Sequence, residues 1–326
     1  MNRRDFIAGM AGAVAAGPLA SVTDPASAQT PGRIYRLGHL ANSAVSETST
    51  REITLPELAK LGFIEGRNLV FESRVGESAA LPGLMQELLA TRPGAILSVG
   101  PGAILTASAA TRTVPILAFG ADPVELKLAQ SYARPGGNVT GVVILIRELE
   151  AKRLSILREA FPDRSRVATL VSAAQQHITE PALRKAAADL GIDLLVVPVA
   201  TSADYPAAFA AMRAANAQAL LIGAAPELFR DGNQLAALAL EAQLPTVCEW
   251  AEMTQDGCLI GYGPSRAALR RRIATQIASI FRGTAPGDIA IEQPTLYEFA
   301  LNQKIAKALR VTIPQSVLVR ADEVIE

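Results

Sequence analysis

The sequence predicts an α/β protein of two doubly wound parallel-sheet lobes joined by hinge strands. Three observations carry this. Short apolar runs alternate with amphipathic stretches along most of the chain, the pattern of strands linked by crossover helices. The alternation breaks at Arg134-Pro135-Gly136-Gly137-Asn138, through which no helix can run, and begins again near residue 141. The chain has 326 residues, and at roughly 100–200 residues per domain that length suggests two domains.

The first strand is expected at 34–40. A helix around 54–61 follows it and ends at Gly62, with a second strand at 68–73. Leu84, Met85, Leu88 and Leu89 share one face of a helix over 82–91. The apolar run 95–99 lies between Pro93-Gly94 and Gly100-Pro101, as suits a strand buried on both faces. A small-residue helix over 102–111, a strand at 114–119 and a helix over 124–133 complete the first half.

In the second half, helices are expected at 149–161, 180–190, 206–215 and 233–242. Strands are expected at 166–172, 193–197, 219–222, 246–248 and 258–260. Leu269, Ile273, Ile277 and Ile280 mark a long final helix closed by Gly283. The run Arg270-Arg271-Arg272 is read as its solvated face.

Composition narrows the function. Lys+Arg and Asp+Glu are 31 each, so the net charge is zero and the basic excess of a nucleic-acid binder is missing. Half of the residues are hydrophobic and 19% charged, which excludes a disordered chain. With two His and two Cys, no zinc scaffold or disulfide framework is available. No metal or other cofactor is expected. The motifs G-x-S-x-G, G-x-x-x-x-G-K-[ST] and G-x-G-x-x-G are absent, so no catalytic residues are assigned.

Residues 1–28 read as a secretory signal. Arg3-Arg4 precede a mostly apolar stretch over 6–22, and Ala26-Ser27-Ala28 is a small-x-small cleavage site. The Arg-Arg-x-Phe-Ile pattern points to the twin-arginine route, with a mature start near Gln29 and a periplasmic location. Export makes a Cys248–Cys258 disulfide permissible. The expectation is nonetheless two separate buried thiols, since free Cys behaves as a small apolar residue.

Several blocks carry a resemblance. They are Leu61-Gly62-Phe63-Ile64-Glu65-Gly66-Arg67-Asn68, Asp122-Pro123-Val124, Ala133-Arg134-Pro135-Gly136-Gly137-Asn138-Val139-Thr140-Gly141 and Gly261-Tyr262-Gly263-Pro264. A C-terminal signature runs from Glu292-Gln293-Pro294-Thr295 through Asn302-Gln303-Lys304-Ile305-Ala306 to Arg320-Ala321-Asp322-Glu323-Val324-Ile325. The chain resembles the ABC transporter substrate-binding family that includes tryptophan- and tyrosine-binding lipoproteins. The resemblance implies a periplasmic-binding-protein type I-like fold, a small-molecule ligand held between the lobes, and delivery to an ABC permease with a separate ATPase subunit. The ligand expected at family level is an amino acid or an aromatic or carboxylate compound, and the protein is expected as a monomer. Alternatives are an exported α/β enzyme and a ligand-sensing receptor domain of the same fold.

Lobe one is placed at 33–141 with about 262–293, and lobe two at 142–261 with about 294–326. Hinges are expected at 140–143, 257–263 and 292–296. In open α/β sheets ligands lie beyond the C-terminal strand ends. Candidate contacts are therefore Asn42, Ser43, Gly100, Pro101, Phe119 and Asp122 on one side, and Ser172, Gly223, Glu249 and Trp250 on the other. The helix start after Val99 offers free N–H groups to a carboxylate. Trp250 either stacks on a flat ligand or plugs a lobe surface. Glu249 either pairs an amino group or is a solvated loop residue. Asp122 either meets the ligand or caps a helix beginning at Pro123. His39, beside a strand end, is more readily structural than a ligand contact.

Overall fold

The computed structural model describes residues 32–326. The signal expected at 1–28 lies outside the described residues.

The first sheet contains β1 (Tyr35–Ala41), β2 (Leu69–Val75), β3 (Ala95–Val99), β4 (Ile116–Gly120) and β5 (Val139–Val143). All pairings are parallel, in the order β2-β1-β3-β4-β5. β3 and β4 are buried almost end to end, which is why they read as continuous apolar runs. The second sheet contains β6 (Arg166–Ser172), β7 (Asp193–Val199), β8 (Ala219–Ile222), β9 (Thr246–Cys248), β10 (Ile260–Pro264), β11 (Tyr297–Asn302) and β12 (Glu323–Ile325). Its order is β12-β11-β10-β9-β8-β6-β7, with β10 and β11 antiparallel. Helices interleave with the strands in both halves, so the fold is the α/β arrangement expected.

The antiparallel pair has a topological cause. The chain leaves the second sheet after Pro264 and forms the helix Arg266–Phe281, which packs against β3, β4 and β5 of the first sheet. It then returns directly along 289–297, without a helical crossover. On the way it pairs with β5, with Val143 N–H donating to Glu292 O at 3.0 Å and Glu292 N–H to Gly141 O at 2.9 Å. The chain therefore passes between the sheets at 144–146, 264–266 and 289–297. The segment 257–263, expected as a hinge, stays within the second sheet, because β10 pairs with both β9 and β11.

Other expectations change. The first helix starts ten residues early. Ala44–Ser49, a π turn over Thr50–Thr54 and Leu55–Lys60 form one uninterrupted helical stretch, started by the Ser43 side chain accepting from Val45 N–H at 3.3 Å. No helix forms over 124–133. Asp122 starts a turn by accepting from Val124 N–H at 2.8 Å, but Lys127 adopts a left-handed φ of 57° and ends it after one turn. The Tyr132 hydroxyl then bonds back to Asp122.

Cys248 and Cys258 form a disulfide, against the expectation of separate thiols. The 3-10 turn Ala251–Thr254 folds the chain back, and Cys258 N–H bonds Met253 O at 3.0 Å. That brings the two Cα atoms to 6.5 Å, within the range a disulfide spans.

Candidate ligand-binding site

The C-terminal strand ends of both sheets face a shared cavity. From the first sheet come Gly100 and Pro101 after β3, and Phe119 and Gly120 at the end of β4. From the second come Ala224–Pro226 after β8, then Glu249 and Trp250 after β9. Ser46 and Ser49 of the first helix, Phe229, and Arg266 and Arg270 of the long helix complete the wall.

The Glu249–Trp250 peptide is held from beneath. Arg153 is fully buried on the helix Ile146–Ala160. Its Nε donates to Tyr262 O at 2.8 Å and its Nη2 to Glu249 O at 3.0 Å. Its Nη1 lies 3.8 Å from the Glu150 carboxylate. Glu150 in turn accepts from Ala224 N–H at 2.6 Å. One buried ion pair thus fixes two loops of the cavity.

The glycines of Gly261-Tyr262-Gly263 make that approach possible. A Cβ at Gly261 would stand 2.4 Å from Trp250 O, and one at Gly263 would stand 2.1 Å from Glu249 O. Only hydrogen fits at either position.

Burial pushes the Glu150 carboxyl above its usual range, against the pull of Arg153. Glu249 is pushed up to about 7, chiefly by burial and further by Glu150, with Arg153 and Arg266 opposing. Near neutral pH this carboxyl is therefore about half protonated.

The long helix supplies two cations one turn apart. Arg266 Nη2 donates to Ser49 Oγ at 2.8 Å, and its Nη1 lies 3.4 Å from Glu252 Oε1. Its guanidinium stands 4.4 Å from the Phe229 ring centre and 5.9 Å from that of Trp250. Arg270 is 5% exposed and stacks 4.3 Å from the centre of Phe119. Its Nη1 donates to Thr50 Oγ1 at 2.9 Å, at the first residue of the π turn. Burial and the like charge of Arg266 bring Arg270 down to about 9. It is still a cation at neutral pH.

Arg270 was expected on the solvated face and is instead buried. The reason is helical geometry: Arg270 precedes Ile273 by three residues and Ile277 by seven, so it extends the apolar stripe. Arg266, four residues earlier, lies on the same line. That spacing was the signal in the sequence. Nothing in the sequence places Phe229 or Ser49 at the cavity, or Thr50 against Arg270.

Of the expected contacts, Gly100, Pro101, Phe119, Glu249 and Trp250 line this cavity. Asp122 lines an adjoining one with Tyr132, Arg147 and Gln175. There it works as a cap. Asn42, Ser43, Ser172 and Gly223 line neither. Ser43 is a helix cap, and Gly223 sits where a Cβ would meet Leu170 O at 2.6 Å. His39 is buried between Ser73 Oγ and Ser46 Oγ, 3.0 Å from each, and burial pushes it down to about 3. It braces the helix that lines the cavity. His177 is exposed on the helix Gln176–Asp189.

Among the described residues no cluster of His, Cys, Asp and Glu can hold a metal ion. Among them, too, no helix is long and apolar enough to cross a membrane.

A conserved domain protein from Vibrio cholerae O1 biovar El Tor has the same fold, with a TM-score of 0.81 at 22% identity over 90% of this chain and 100% of that one. An ABC domain from Streptococcus pneumoniae in complex with L-Trp gives 0.79 at 18% identity, again over 90% and 100%. A ligand-free, open substrate-binding protein with adhesive properties from Clostridium difficile gives 0.65 at 17% identity over 90% and 99%. No curated protein sequence matches the chain. The family model described as ABC transporter substrate binding protein matches residues 50–325. By that match the chain belongs to the ABC transporter substrate-binding proteins, which bind small molecules outside the cytoplasm and work with ABC permeases.

Proposed function

We propose that the chain captures a small molecule in the cavity between its sheets and delivers it to a permease driven by a separate ATPase subunit. It acts as a monomer in the periplasm and performs no catalysis. The segment 1–28, with Arg3-Arg4, serves as a twin-arginine export signal. Lobe one corresponds to 33–141 with about 262–293, and lobe two to 142–261 with about 294–326. The lobes close by bending where the chain passes between the sheets. The ligand is an amino acid or an aromatic or carboxylate compound.

One observation carries this reading: strand-end loops of both sheets converge on one cavity, with cations and aromatic rings in its wall. A ligand touching Phe119 and Arg270 on one side and Trp250 on the other is gripped fully only when the lobes are closed, which is how binding shifts the population.

The test is a thermal-shift panel of amino acids, aromatic acids and polyols on the mature chain. A ligand at one hundred times its Kd stabilises the folded state by about 2.7 kcal/mol, so the melting temperature is expected to rise by roughly 5 °C or more. Trp250 is the only Trp, so the same ligand should shift the intrinsic emission. A panel that moves neither signal counts against the cavity as a ligand site.

A further inference from the structure

We infer that the ligand is an aromatic carboxylate without an ammonium group, and that Arg270 supplies its counter-charge. This rests on the reading of the cavity as a ligand site and chooses between the classes left open there.

Arg270 is the first ground. It lines the cavity and is 95% buried, judged from its 5% exposure. A guanidinium has five N–H donors, and here one bonds Thr50. Among the described residues no carboxylate pairs with it, and the charge that acts on it is another cation, Arg266. A buried charge without a partner is strongly unfavourable. Arg270 lines the cavity, so an incoming anion can reach it and remove the penalty. A planar carboxylate matches the guanidinium fork better than any monatomic anion.

The second ground is the lack of a place for an ammonium group. The carboxylate on this cavity wall is Glu249. Its charged neighbours are Arg153, Arg266 and Glu150. An ammonium beside it would share the cavity with the Arg266 and Arg270 guanidiniums, while burial of the carboxyl disfavours its ionised form. In the adjoining cavity Asp122 is engaged by Val124, Glu125 and Tyr132, Glu125 pairs with Arg147, and the remaining carboxylate, Glu148, is exposed to solvent. A zwitterion would satisfy its carboxylate and leave its ammonium without a buried, fully ionised partner.

The third ground is the body of the site. Phe119, Phe229 and Trp250 present rings, and Val99, Ile144 and Ile146 present aliphatic surface. An aromatic ring fits this lining.

The experiment is calorimetric titration of the mature protein at pH 7 with phenylacetate, 3-phenylpropionate and indole-3-acetate, set against L-Phe, L-Trp, 2-phenylethylamine and myo-inositol. At least one carboxylate is expected to bind ten times or more tighter than the matching amino acid. Arg270→Met should weaken it a hundredfold or more, yet melt no lower than wild type without ligand, because it removes an uncompensated buried charge. Glu249→Gln should retain the carboxylate. Tighter binding of L-Phe, L-Trp or the amine overturns the inference and leaves the solute-binding reading intact. So does binding of myo-inositol in preference to the acids, or a folded Arg270→Met with unchanged affinity. Silence from the carboxylates overturns it as well, and silence from every probe counts against the cavity reading itself.

Discussion

Arg153 and Arg270 are both buried, and the two regions that hold them treat the same charge in opposite ways. On the second-sheet side, Arg153 has two backbone carbonyls and the Glu150 carboxylate. On the long helix, Arg270 has one hydroxyl and an aromatic face. The first region has its counter-ion within the protein and fixes the shape of the wall, although Arg153 Nη1 and one Glu150 oxygen make no hydrogen bond. The second is incomplete, and its missing partner is of the kind a ligand supplies. A buried ion pair and an unpaired buried ion thus separate scaffold from site, although composition counts both as arginine.

Breaking the complete side should have the largest effect. Arg153→Met leaves the buried Glu150 carboxylate without its counter-ion and takes the Arg153 donors from the carbonyls of Glu249 and Tyr262. We expect a loss of about 3–5 kcal/mol in urea unfolding, the range for removing one partner of a buried pair. A loss under about 1 kcal/mol would erase the contrast with Arg270.

Glu249 lies between the regions and gives them a pH dependence. Its folded carboxyl titrates at about 7 against an ordinary 4.5, so the protonated form is favoured on folding. The stability this contributes is fully present below pH 4.5 and is lost as pH rises through 4.5 towards 7. The swing is at most about 3 kcal/mol. Glu249→Gln should flatten this part of the stability profile between pH 4.5 and 8. Affinity for a carboxylate should also fall as pH rises from 6 to 8 in wild type and stay level in the variant.

The Cys248–Cys258 link ties the end of β9, just before Glu249, to the loop that enters β10. Reduction should lower stability by about 2–3 kcal/mol, as expected for a loop this short. Alkylation without reductant should leave both residues unlabelled by mass. Labelling of both would restore the free-thiol expectation.

The smallest effect is expected at Arg266. It already has Glu252 and Ser49, so a ligand gains less from it. Arg266→Gln should weaken carboxylate binding several-fold, well short of the loss in Arg270→Met. Equal losses would mean that the two cations act as one fork.

The sequence by itself was enough for the α/β class, the restart after Arg134-Pro135-Gly136-Gly137-Asn138 and most strand positions. Those follow from local periodicity and from Gly and Pro chemistry, which act within a few residues. It also marked Gly100, Phe119, Glu249 and Trp250 as strand-end residues. Their position at the cavity needed no contact information beyond the strand ends. The helical line from Arg266 through Arg270 to Ile273 was legible too, but a run of three arginines suggests solvent unless the wheel is followed.

The tertiary structure decided the rest, because the deciding partners are far apart in the chain. Thr50 meets Arg270 across 220 residues, and Arg153 reaches Tyr262 across 109. The helix start at Ala44 depends on a short Ser43 cap, whereas the lost helix after Pro123 depends on a left-handed Lys127 and a closing bond from Tyr132. The disulfide depends on a turn that folds Cys258 back towards β9. Whether a buried charge finds its counter-ion is a property of packing in three dimensions. No spacing along one chain contains it, and that property separates Arg270 from Arg153.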